Sequence, residues 1–79
     1  MDFFHLSKHQ AVEENILVSS KIIYELLKSS MHIDELFLEY AHSRNLILSL
    51  NIERILYLSL AFLYSVNKVE ITNNMVRRA

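Results

Sequence analysis

A chain of 79 residues with no cysteine and a net charge of −1 supports one domain and excludes disulfide staples and thiolate zinc sites. Its 8 basic and 9 acidic side chains leave no global field to draw in nucleic acid or an anionic membrane. Apolar residues make up 52% of the chain; that share is high for so small a body, and part of it is expected to face another protein.

Residues 1–10 hold Phe3, Phe4 and Leu6 among polar neighbours and read as an N-terminal arm, ahead of a domain over residues 11–79. The Phe pair argues that the arm docks, on this domain or on another chain. Asp2 and the lack of a basic start argue against a secretory signal, so a cytoplasmic location is expected, in keeping with the missing cysteine. From Ala11 to Ser29, Val12, Ile16, Ile23 and Leu27 recur at helical spacing, thickened by Leu17, Ile22 and Leu26. Glu14, Lys21, Glu25 and Lys28 line the other side as a solvated stripe. Ser29 and Ser30 break the pattern. Met31–Ile33 reads as a short extended piece, and Asp34 and Glu35 open a second helix to about His42, where early negative charge suits the helix dipole. Leu36, Phe37, Tyr40 and Ala41 form its buried face. The connector over residues 43–50 carries Leu46, Ile47, Leu48 and Leu50, too apolar for a bare loop, and is expected to be covered.

The last third is the most informative. Asn51 can cap a helix over residues 51–66, with Glu53 in its first turn. Ile55–Val66 is nearly all apolar, yet too short to cross a membrane. Asn67 is the expected left-handed stop. Strands over residues 68–72 and 75–78 flank Asn73-Asn74, a pair suited to a type I′ turn. That register pairs Thr72 with Met75, Ile71 with Val76, Glu70 with Arg77 and Val69 with Arg78. Glu70 and Arg77 then form an opposite-charge pair across the ribbon. The order of helices and ribbon predicts a mostly α fold with a small β-hairpin: a winged helix of three helices and a C-terminal two-stranded wing.

No catalytic constellation is found. There is no glycine at all, hence no phosphate-cradling loop and no Gly-flanked nucleophile elbow. Glu13-Glu14 and Asp34-Glu35 are adjacent on helices and do not face each other. His5 and His9, with only Asp2 nearby, make a poor metal site. The sequence therefore predicts no enzyme, no cofactor and no metal. For DNA, the third helix offers Arg54 and Asn51 amid Leu, Ile, Tyr and Phe, a poor set for reading base edges. Lys68, Arg77 and Arg78 are the candidate phosphate contacts, the basis of an alternative reading as a small winged-helix DNA-binding transcriptional regulator. An apolar third helix is better suited to being covered by protein. Candidate partner-binding residues are Phe3, Phe4 and Leu6 in the arm, Leu46, Ile47 and Leu48 in the connector, and Tyr57.

The runs NILVSSKIIYELLKSSMHIDELFLEY and NIERILYLSLAFLYSVNKVEITNNMVRR resemble the small winged-helix middle components of bacterial ABC three-component systems, to which Lamassu-type defence systems are related. The match covers Glu14–Arg78, with IDEL opening the second helix, AFLY near the end of the third, and KVEI entering the wing. One departure is Asn67, where the family tends to glycine. The resemblance implies a non-catalytic subunit of an obligate hetero-complex. Its partners would be an SMC- or Rad50-like ATPase and a nuclease-type effector, acting against phage or plasmids.

Overall fold

The computed structural model describes the backbone of residues 3–79 and the side chains of residues 15–79. Its elements in chain order are α1 (Phe3–Leu26), β1 (Met31–His32), α2 (Ile33–Ser43), α3 (Leu50–Ser65), β2 (Val69–Thr72) and β3 (Met75–Arg78). The helix expected from residue 11 starts at Phe3, so residues 3–10, read from sequence as an arm, continue α1 without a break. It also stops at Leu26, short of the expected Ser29.

The strands form one antiparallel sheet in the order β1-β3-β2. The ribbon register is the one expected from the Asn-Asn turn, from Val69 opposite Arg78 to Thr72 opposite Met75. A third strand joins it: Met31 pairs with Val76 and His32 with Met75. The hairpin is thereby stitched to the chain just before α2, and Ile33 N–H donates to the Asn74 carbonyl at 2.8 Å.

Helix ends explain where the chain turns. The cap of α3 is Ser49 and not Asn51: its hydroxyl accepts from the Ile52 N–H at 3.3 Å. Two residues of capping type lie within one turn, and extended backbone at Ser49 (φ −128°, ψ 168°) decides between them. At α2 the cap is His32, whose Nδ1 accepts from the Asp34 N–H at 3.1 Å. Both α2 and α3 then close in the same way. Asn45 (φ 56°) and Asn67 (φ 60°) take the left-handed position. Leu46 N–H bonds back to the Ala41 carbonyl, and Lys68 N–H to the Leu63 carbonyl, each at 2.8 Å. This is the Schellman closure with asparagine standing in for glycine. Asn73 (φ 52°) and Asn74 (φ 64°) supply the two positive φ angles of the hairpin turn.

The core sits where the three helices meet the sheet. Ile23, Leu27, Leu36, Leu56 and Val76 are almost wholly excluded from solvent, with Val69, Leu60, Leu63, Phe37 and Tyr40 around them. On α3 the inward stripe is Leu56, Leu60 and Leu63, at helical spacing. Between α1 and α3 two buried serines, Ser20 and Ser59, meet beside this core. Ser20 donates to the Ile16 carbonyl at 2.6 Å and Ser59 to the Ile55 carbonyl at 2.8 Å. Each hydroxyl is thus satisfied within its own helix. Ser19 Oγ and Tyr40 Oη lie 2.9 Å apart, tying α1 to α2.

Candidate functional site

Only one face of α3 is used by the core, although the helix is apolar almost all round. Leu50, Tyr57 and Tyr64 repeat every seven residues along one outer flank and are 77%, 53% and 59% exposed. Leu58, Phe62 and Val66 repeat every four along the other and are also exposed. The expectation that this helix is covered therefore holds within the chain for the inward stripe and not for Tyr57 or Leu58.

The two flanks border separate depressions. On the α2 side, a groove of about 210 Å³ is lined by Phe37, Leu38, Leu48 and Tyr57, with Asp34 and Glu53 at its rim. Tyr57 meets Phe37 edge-on, with centroids 4.9 Å apart and planes at 78°, so its ring is held in one pose while half of it faces solvent. On the α1 side, a larger groove of about 340 Å³ is lined by Leu17, Tyr24, Phe62 and Val66, with Lys21 and Lys68 among its walls. One groove is rimmed by carboxylates and the other by ammonium groups.

Of the residues singled out from sequence, Leu48 and Tyr57 come together in the carboxylate-rimmed groove. Leu46 turns the other way, towards Val18, Arg44 and Ile55. Ile47 stands out from the connector, 89% exposed. The connector was expected to be covered, and the chain covers only Leu48 by packing it against the core. The side chains of Phe3, Phe4, Leu6, His5 and His9 lie outside the described residues.

The candidate phosphate contacts are placed less uniformly. Lys68 is exposed at the groove rim. Arg77 donates through Nε to Glu70 Oε1 at 2.9 Å and through Nη2 to the same oxygen. Arg78 lies over the Tyr24 ring, 4.3 Å from its centroid, and donates from Nε to the Tyr24 carbonyl at 3.0 Å. That position also sets a cation at the C-terminal end of α1, where the dipole welcomes it.

Sequence reasoning missed Leu17, Leu38, Phe62 and Val66 as surface groups. Leu17, which thickens the apolar spacing of α1, is 56% exposed. The signal was present in part: Leu17, Lys21 and Tyr24 recur at i, i+4 and i+7, a stripe of their own. Among the described residues no three His, Asp or Glu side chains converge as a metal site, and no helix is long and apolar enough to cross a membrane.

Comparison with known proteins gives one family. The model for "ABC-three component (ABC-3C) system Middle Component 6" matches residues 6–78. The uncharacterized protein YydC of Bacillus subtilis (strain 168) is 63% identical over 78 residues, 99% of this chain and 59% of that protein. The chain thus spans about three-fifths of the length of the curated relative it matches. No solved structure matches.

Proposed function

The chain belongs to the ABC-three component system Middle Component 6 family, and from that premise we propose that it is a non-catalytic adaptor acting by protein–protein contact. As a middle component it is one part of a multi-component system. We propose as its partners an SMC- or Rad50-like ATPase and a nuclease-type effector, as its setting the cytoplasm, and as its task defence against phage or plasmids, as in Lamassu-like systems. We read the fold as a winged helix: the element order, with β1 paired to the wing, supports that assignment.

The observation that carries the proposal is the pair of outer flanks on α3. Leu50, Tyr57 and Tyr64 on one side, and Leu58, Phe62 and Val66 on the other, leave large apolar groups in water next to a formed core. Contiguous apolar surface of this kind is characteristic of protein contact sites. A base-reading helix would present Arg, Lys, Asn or Gln there. The direct test is co-expression with the neighbouring reading frames of its operon, followed by purification through a tag on this chain. The expected result is a stable complex with an ATPase; a chain that purifies alone as a clean monomer under those conditions overturns the proposal.

A further inference from the structure

We infer that the groove between α1 and α3 is the seat of an amphipathic helix from a partner protein, with apolar anchors on one face and acidic side chains flanking them. The inference rests on the adaptor reading and goes beyond it, because it names the surface and the chemistry of the occupant.

The walls are two helical stripes. Leu17, Lys21 and Tyr24 follow one another along α1, and Phe62 and Val66 along α3. Leu58, exposed one turn before Phe62, prolongs the second stripe. A trough between two helices takes a third by ridge-into-groove packing, and such a ligand is read through anchors at i, i+3 or i+4, and i+7. The floor is hydrocarbon and aromatic, which favours burial of leucine-like side chains.

Charge selects the occupant. Among the described residues, the two charged side chains that line the groove, Lys21 and Lys68, are both cationic. Arg78, stacked on the wall residue Tyr24, adds a third positive charge beside it. A partner with Glu or Asp beside its apolar face is attracted, and one with Lys or Arg is repelled. A nucleic-acid backbone would use the cations and gain nothing from the apolar floor. A second copy of this chain offers as its acidic-rimmed counterpart the hollow at Phe37, Leu38 and Tyr57, and two hollows do not interdigitate.

The test uses two synthetic helical peptides of about 18 residues, some five turns, with the same Leu anchors and either Glu or Lys at the flanking positions. A short DNA duplex serves as a third probe. Binding to the full chain is followed by anisotropy and by amide shifts in 15N-labelled protein. The Glu-flanked peptide is expected to bind, shifting Leu17, Lys21, Tyr24, Phe62, Val66 and Lys68. Phe62→Ala should weaken it by about tenfold, as for an interface anchor. The double variant Lys21→Glu with Lys68→Glu should reverse the preference between peptides. Both lysines are exposed, so this variant keeps the fold, which an unchanged circular dichroism spectrum confirms. Binding of neither peptide, equal binding of both, shifts confined to the Asp34–Tyr57 side, or displacement of the acidic peptide by the duplex overturns the inference. The native complex separates the two claims. If an ATPase co-purifies equally with wild type and with the double variant and Phe62→Ala, the groove assignment falls and the adaptor stands. If nothing co-purifies with wild type, both fall.

Discussion

Arg78 lies across Tyr24, its guanidinium 4.3 Å from the ring centroid, and so fastens the last strand to the last turn of α1. The contact joins residues 54 apart in sequence. It combines a cation–π interaction with a charge-assisted hydrogen bond at a helix C-terminus. Arg78→Ala is expected to cost about 1 kcal/mol and lower Tm by roughly 4–8 °C, the conversion for a domain of this size. Arg77→Ala, which removes only the exposed pair with Glu70, should cost under about 1 kcal/mol. Thermal denaturation of the two variants side by side checks the ranking.

The left-handed asparagines make a second prediction. Asn67→Gly removes the steric cost of positive φ at the end of α3 and should hold or raise Tm. Asn67→Val places a β-branched side chain at φ 60° and should cost about 1–2 kcal/mol. The same contrast applies at Asn45, whose closure has the same hydrogen bonds. Equal effects of Gly and Val at either position would contradict the geometry.

Core and flank on α3 should respond differently. Leu56 is wholly buried, and Leu56→Ala should cost about 2–5 kcal/mol. That is comparable to what the core of so small a domain supplies, so the variant should be largely unfolded at room temperature. Leu58→Ala, two residues on and half-exposed, should leave the unfolding free energy within about 0.5 kcal/mol of wild type. Urea titration followed by circular dichroism distinguishes them.

The isolated chain should self-associate through its uncovered apolar groups. Ile47→Asp with Tyr64→Asp should shift it towards monomer in size-exclusion chromatography with light scattering, with no change in helix content. A wild-type chain that stays monomeric at high concentration would count heavily against the adaptor reading.

Duplex DNA offers the opposite check. At about 150 mM salt, where the release of counterions from DNA favours binding less, no retention of the chain is expected in a mobility-shift assay. Retention that is salt-dependent and lost on Arg77→Ala and Arg78→Ala would favour the regulator reading.

Much of the fold could be read from the sequence because local chemistry fixed it. Asn73-Asn74 dictated a turn type, the turn type dictated a register, and the register placed Glu70 beside Arg77. The α1 boundary was not legible: residues 3–10 carry no glycine or proline to separate an arm from a helix. On α3 the difficulty was excess of signal. A helix apolar all round offers several equivalent stripes, and only the positions of α1, α2 and the sheet select Leu56, Leu60 and Leu63 for burial. The grooves were illegible for a related reason, since each is built from segments remote in sequence. Leu48 and Tyr57 could be named singly, but their meeting beside Phe37 depends on how α2 lies against α3.

The three asparagine bends have a kinetic consequence. The chain reverses direction with neither glycine nor proline, so its unfolded ensemble lacks the extra freedom glycine brings and the slow isomers proline brings. Refolding from urea should run as one phase, with no step on the scale of tens of seconds.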